Sequence, residues 1–269
     1  MMTARANLAA QAWHDVSELA DLQLSPLGLR AIDALCPMPG DVVIDVGCGA
    51  GQSVLQLAER VGAAGRVIGV DVAALLLGLA MRRADRCRAD GLGQMSFLQA
   101  DAQRLDLADR SADGIFSRFG VMAFADPVAA FANFRRMLKP SGRLAFVCWR
   151  ALEANELDWL PLRATGLEAM ADLTPFSFAD AGFLRAMLGT AGFDDVVVQA
   201  SDQEVSSGGV AEMARVLLKV GPLGRVLREN PDLRADAEPR LRAALADREA
   251  DGVVALQAAT WIVTARAGG

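Results

Sequence analysis

The sequence predicts an α/β fold, a mostly parallel sheet with helices on both faces. Two stretches carry that expectation. The first is Val42–Ser53, VVIDVGCGAGQS. Val42, Val43, Ile44 and Val46 form a β-branched run of the kind buried on both faces of a parallel sheet, interrupted near its end by Asp45. Gly47, Gly49 and Gly51 alternate with Cys48 and Ala50. The loop then runs straight into Val54, Leu57, Ala58 and Val61, spaced as one helical face. A strand, a glycine loop and a helix N-terminus build a site for the polar part of a nucleotide-like ligand. The second stretch is Arg66–Val72, RVIGVDV, a short apolar strand ending in Asp71, twenty residues after Gly51. An acid there, at the tip of the adjacent strand, can accept hydrogen bonds from both ribose hydroxyls. It can equally cap the following helix. Alone, the glycine loop suits a dinucleotide, a nucleoside sulfonium or a tight structural turn.

The remaining elements follow in order. Residues 1–23 read as an alanine-rich covering helix carrying Trp13 and His14, the one histidine of the chain. His14 reads either as a surface residue or as a base brought over the ligand, and Trp13 as a substrate contact or a hydrophobic plug. Leu24–Leu35 is a helix, closed by Pro37, Pro39 and Gly40. Ala73–Asp90 is helical by length and composition, with Gly91 and Gly93 ending it. Met95–Gln99 is a third strand, closing at Asp101, and Asp113–Val121 a fourth. The fourth carries Ser117, Arg118, Phe119 and Gly120, and Arg118 suits either an anionic substrate group or an acidic partner. Asp126-Pro127 opens a helix whose Phe131, Phe134 and Leu138 face the core. Lys139–Gly142 is a turn and Arg143–Trp149 the fifth strand. Leu184, Met187, Leu188 and Ala191 share a helix face that Gly192 stops. Val196–Gln199 and Ala259–Ala265 are strands six and seven. Two segments are left over, 150–178 and 201–256, and helical faces such as Val210, Met213, Leu217 and Val220 mark the second. These insertions, with the N-terminal helix, are expected to form a lid over the strand ends of a single domain spanning 1–269.

Composition narrows the classes. Cys36, Cys48, Cys87 and Cys148 are scattered without a C-x-x-C pair, which argues against a zinc site or a disulfide framework and fits a reducing cytosol. No metal is expected. The formal charge of −6 disfavours nucleic acid as a partner, and Arg82, Arg83, Arg86 and Arg88 read as a solvated helix face. No apolar run is long enough to cross a bilayer and no leader is evident, so the expected location is cytoplasmic.

VIDVGCGAGQS, GVDV and FLQADA (Phe97–Ala102) resemble the first motifs of class I S-adenosylmethionine-dependent methyltransferases. The likeness is to the type 11 branch that includes the ubiquinone and menaquinone biosynthesis enzymes. It continues through SRFGVMAFADP, LKPSGRLAFVCW, PFSFAD and TWIVTAR, covering most of the chain from about Leu24. The resemblance implies a Rossmann-like seven-stranded sheet and S-adenosyl-L-methionine as cofactor. It implies cofactor contacts at Asp45, Gly47, Gly49, Gly51, Asp71, Val72, Asp101, Ala102 and Ser117. Asp101 would accept the adenine amino group and the Ala102 N–H would serve the ring nitrogen, although Asp101 also reads as a helix N-cap. Trp13, Arg118 and Phe119 are the candidate substrate contacts and His14 the candidate base. The fourth strand lacks both the aromatic Asn/Asp-Pro-Pro motif and the metal-binding acids found in other methyltransferases.

The expected reaction is in-line methyl transfer to a small, partly hydrophobic acceptor such as a quinone precursor, a polyketide or another secondary metabolite. Proximity and water exclusion would supply most of the catalysis. Two alternatives keep the fold: a non-methylating reaction such as cyclisation on the bound cofactor, and a non-catalytic cofactor-binding regulatory subunit with no room for an acceptor. A nicotinamide oxidoreductase is disfavoured by G-x-G-x-G in place of G-x-G-x-x-G, by Asp101 and by the absence of tyrosine. A homodimer is compatible with the sequence.

Overall fold

The β-branched runs pair into one sheet. In the computed structural model, which describes residues 4–87 and 92–268, the strands are β1 (Val42–Val46), β2 (Arg66–Asp71), β3 (Gln94–Gln99), β4 (Ala112–Arg118), β5 (Leu138–Trp149), β6 (Phe193–Val205) and β9 (Leu256–Ala267). A short hairpin, β7 (Glu249–Ala250) with β8 (Val253–Val254), lies apart. The seven-stranded order is β3-β2-β1-β4-β5-β9-β6. Neighbours from β3 to β5 run parallel, while β9 inserts antiparallel between β5 and β6. Strand order reverses at β1, which lies between β2 and β4. The crevice beyond the carboxyl ends of these strands is where an open α/β sheet binds its ligand.

The helices are α1 (Ala4–Asp15), α2 (Ser17–Leu35), α3 (Gln52–Val61), α4 (Ala74–Cys87), α5 (Pro127–Met137), α6 (Glu156–Thr165), α7 (Ala181–Thr190), α8 (Val210–Leu217), α9 (Gly221–Glu229) and α10 (Arg234–Ala246). The sheet core is aromatic at its centre: Phe116, Phe131, Phe134 and Phe146 are fully buried. Asp126 caps α5 by accepting from the Ala129 N–H, with Pro127 in the first turn, as its sequence implies.

Four boundaries differ from the sequence expectation, each for a local reason. The covering helix is broken at Val16, which is buried against Val216 and Val220, and the following helix therefore begins at Ser17. β4 ends at Arg118 because Phe119 takes a left-handed backbone with φ 59°. Lys139–Gly142 does not leave the sheet. It forms a bulge with Ser141 at φ 61°, and pairing jumps from Ala112–Leu138 to Gly114–Arg143. β6 runs on to Val205, so the second insertion starts at Ser206 rather than Ser201. α4 ends at Cys87. Arg88 and Gly91, like Met1–Thr3 and Gly269, lie outside the described residues.

Candidate cofactor and acceptor site

A cavity of about 690 Å³ sits over the carboxyl ends of the central strands, within the usual range for small-molecule sites. Its floor is the loop after β1 (Gly47–Ala50), the tip of β2 (Asp71–Ala73), the turn after β3 (Asp101–Gln103) and the segment after β4, with Trp149 of β5. α1, α2, α6 and α9 close it from above.

Asp71 is the polar centre of the floor. One carboxylate oxygen accepts from the Gly49 N–H at 2.9 Å and the other from the Ala73 N–H at 2.8 Å. The capping and the ribose readings are therefore compatible, because each carboxylate oxygen keeps a second lone pair for a hydroxyl. Burial raises the Asp71 pKa, and the backbone N–H bonds of Ala73 and Gly49 oppose that shift. Gly49 has φ 52°, and a Cβ built there would meet nothing within 4 Å, so the absent side chain leaves open space above the loop. Val72 is 46% exposed on the same wall, and Ala102 stands beside it. Asp101 does cap a turn, accepting from the Gln103 N–H at 3.0 Å, yet it remains exposed on the cavity wall.

Three expected cofactor contacts do not reach the cavity wall. Asp45 is fully buried and accepts from Ser53 Oγ at 2.6 Å, fastening β1 to α3. Its second oxygen has no hydrogen-bond partner among the described residues, and burial pushes the carboxyl up to about 7. Ser117 donates to the Val46 carbonyl at 2.8 Å and accepts from the Gly120 N–H at 3.1 Å, bracing β4 against the loop. Gly51 holds φ 82° at the start of α3, where a Cβ would fall 2.7 Å from that of Ala80. All three shape the loop from behind.

On the acceptor side the outcomes divide. Phe119 and Trp149 line the cavity and stack on each other, ring centroids 4.0 Å apart. Trp13 lines it as well, 38% exposed. His14 does not. Ala6, Ala9, Ala10 and Trp13 step along one face of α1, and the next residue is turned about 100° away. His14 lies instead beside Asp15, Nδ1 to carboxylate 3.9 Å, so the structure does not bring the expected base to the site. Arg118 reaches the wall, but its guanidinium is taken by Asp21 at 3.1 Å and by Gln52 at 2.5 Å; the acidic-partner reading holds over the substrate reading. Asp21 also pairs with Arg83 at 2.6 Å, and Arg83 donates to the Ala50 carbonyl. Arg83 is thus part of the site's framework, with only 13% of its side chain exposed, contrary to the solvated face expected for it.

The lid adds polar residues of its own. Gln23 on α2, Asp158 on α6, and Arg225 and Arg228 on α9 all line the cavity. Arg225 pairs with Asp172, Arg228 donates to the Lys219 carbonyl, and burial lowers the Arg228 pKa. A signal for Asp158 did exist: an acid set between Leu157 and Trp159 in an apolar helix. Among the described residues no cluster of His, Cys, Asp or Glu could hold a metal ion.

A glycine loop at the point where strand order reverses, with acids at the next two strand tips, defines a nucleotide-type site on a Rossmann-like sheet. Residues 43–142 match the family model described as a methyltransferase domain. The chain is 32% identical over 143 residues to an aklanonic acid methyltransferase of Streptomyces sp. (strain C5), covering 53% of this chain and 63% of that one. It is 34% identical over 149 residues to a ubiquinone/menaquinone biosynthesis C-methyltransferase of Cellvibrio japonicus, covering 52% of this chain and 59% of that one. The chain thus spans less than two-thirds of these relatives' length. A putative methyltransferase from Bacillus halodurans shares the fold with a TM-score of 0.58 at 17% identity, over 90% of this chain and 98% of that one. Over residues 43–142 and in its fold, the chain is thus similar to the class I S-adenosylmethionine-dependent methyltransferases. S-adenosyl-L-methionine is the cofactor of that class, and the donor set here fits it: a carboxylate with free lone pairs for the ribose, and a loop without side chains for the polar tail.

Proposed function

We propose that the protein transfers the methyl group of S-adenosyl-L-methionine to a small, partly apolar acceptor enclosed beneath the lid. The single observation that carries this reading is the continuity of the cavity. One space joins Gly49, Asp71 and Asp101 to an apolar wall of Phe119, Met122, Trp149, Phe176 and Leu217. A regulatory subunit without an acceptor site would not need the second half. An acceptor such as a quinone precursor or a polyketide fits this reading, and relatives named for aklanonic acid and for ubiquinone and menaquinone biosynthesis support it.

When bound, the cofactor supplies a methyl group already activated by its sulfonium. What remains for the protein is alignment and exclusion of water. Asp71 would hold the ribose, Asp101 and Ala102 the adenine, and Val72 the ring face. The Phe119–Trp149 stack would set the plane of the acceptor. α1, α2 and α9 would close the space to solvent. No helix among the described residues is long and apolar enough to cross a membrane, and the proposed protein works on free small molecules, alone or as a homodimer.

A thermal-shift titration tests the cofactor half. A ligand at about 100 times its Kd adds about 2.7 kcal/mol, roughly 5–10 °C for a chain of this size. That shift is expected with S-adenosylmethionine and S-adenosylhomocysteine and not with NAD. Asp71→Ala should weaken both by about 1.5–3 kcal/mol, the range for hydrogen bonds to a charged group. Labelled-methyl transfer to aromatic hydroxy compounds tests the rest. A shift with NAD alone would overturn the reading, as would an Asp71→Ala protein that binds as tightly as the parent.

A further inference from the structure

Asp158 is the one lid acid that faces the acceptor half of the cavity from α6. It is 6% exposed and lines the cavity. No hydrogen bond or ion pair to its carboxylate is found among the described residues, and burial alone acts on its ionisation. The position is firmly held. Asn155, at the start of the helix, donates to the Ala151 carbonyl at 3.0 Å and accepts from the Ala259 N–H at 2.7 Å, tying α6 to β9. Opposite, Gly221 leaves room: a Cβ there would stand 2.9 Å from a carboxylate oxygen of Asp158.

Charged groups on the surrounding elements have partners of their own. Glu156, on the same helix, pairs with Arg248, and Glu168 beyond it with Arg163. On α9, Arg225 is paired with Asp172 and Arg228 with a backbone carbonyl; on α10, Glu238 is paired with Arg242. The stretch of β9 against α6, residues 256–262, is uncharged. A buried carboxylate with no partner is a costly feature unless a ligand satisfies it.

The chemistry of that carboxylate selects the ligand. An amine would be held there as an ammonium ion, its lone pair occupied by a proton and lost as a nucleophile. A carbon acid offers no strong donor. A phenol or enol offers an O–H donor, and becomes a better nucleophile as the proton leaves. We propose that Asp158 accepts the hydroxyl proton of the acceptor, which makes the acceptor a phenol or enol on a flat apolar body. The inference rests on the methyl-transfer reading and names its substrate class and acceptor-side catalytic residue. As the acceptor oxygen bonds to the methyl carbon, the carbon–sulfur bond breaks with its electron pair on sulfur. The hydroxyl proton passes to Asp158 and from there to solvent. Burial raises the carboxyl to about 7, close to the pH at which a general base is most effective.

The test is a binding comparison on the full chain loaded with S-adenosylhomocysteine. The probes are 1-naphthol and its methyl ether, which differ only in the hydroxyl proton. At pH 8 the parent should prefer 1-naphthol by about 10–100-fold, the range of a hydrogen bond to a charged group. That preference should shrink as the pH falls below 7, and should vanish in Asp158→Leu while S-adenosylhomocysteine affinity is kept. Asp158→Asn, matched in volume, should lose the pH dependence of the preference even if Asp158→Leu does not fold. A parent that binds the two probes alike, or binds neither, overturns the proposal. So does a pH-dependent preference that survives either substitution. Labelled-methyl transfer to 1-naphthol separates the two claims. Hydroxyl preference without product defeats the methyl-transfer reading and leaves the hydroxyl subsite standing.

Discussion

At the scale of single residues, the site turns on acids in unlike settings. Asp71 is satisfied by two backbone N–H groups and stays receptive, whereas Asp158 faces the cavity with no such support. That difference has a consequence for stability. Asp158 ionises near pH 4 in an unfolded chain and at about 7 in the folded one. Between those values the folded state holds the extra proton, so its contribution to stability is complete below about pH 4 and is lost as the pH rises through 7. Three pKa units correspond to at most about 4 kcal/mol. Asp158→Asn is therefore expected to be more stable than the parent at pH 8, with the gap narrowing toward pH 4. Urea denaturation across that range checks it, and a gap that does not vary with pH would refute the assignment. Asp45 shares the sign of this dependence, and the difference between parent and variant isolates Asp158 from it. Asp71 was legible in the sequence because its position follows from the strand and loop before it. Asp158 is harder to read, because an acid in a helix is ordinarily a surface residue, and its setting between Leu157 and Trp159 is only a faint sign of the burial that packing of the lid produces.

At the scale of the element, the glycine loop separates two jobs that look identical in sequence. Gly49 faces open cavity, and Gly51 packs its bare Cα against Ala80. Both have left-handed backbones, so alanine costs about 1–2 kcal/mol of strain at either position. Gly51→Ala adds a clash between elements, and its melting temperature should fall well below that of Gly49→Ala. Gly49→Ala should instead fold and lose cofactor affinity, because its methyl enters the space above the loop. Paired melting curves and S-adenosylhomocysteine titrations decide it; equal destabilisation with unchanged affinity in both would contradict the division. Elements with strong apolar runs, such as β1, β2 and the aromatic face of α5, were legible in outline. β6 was cut short because its second half, Ala200–Val205, is mostly polar, as suits an edge strand whose outer surface meets water. Lys139–Gly142 has the composition of a turn, and only its pairing with β4 shows it to be a bulge.

At the scale of the whole molecule, the lid shares one apolar core with the sheet and is also fastened to the floor by charge. Asp21 of α2 holds Arg83 of α4 and Arg118 at the end of β4, and those two reach the Ala50 carbonyl of the glycine loop and Gln52 at the start of α3. The arginines and the acid each show 13% of their side chains to solvent. Asp21→Ala should lower stability by about 1.5–3 kcal/mol, the worth of a hydrogen bond to a charged group, and leave two cations facing each other. A thermal melt unchanged from the parent would show the cluster to be ornamental. In sequence only an acidic partner for Arg118 is legible, as one of two readings; which acid it is, and that Arg83 and Gln52 join it, emerges only through tertiary packing.

That fastening makes the two halves of the cavity thermodynamically reciprocal. If binding in the glycine loop biases where α2 rests, an acceptor held beneath α2 must alter cofactor affinity by the same factor as the cofactor alters its own. Asp21 is the point through which such coupling would run. Its removal would then leave each ligand's binding indifferent to the other, and turn an ordered sequence of binding events into a random one.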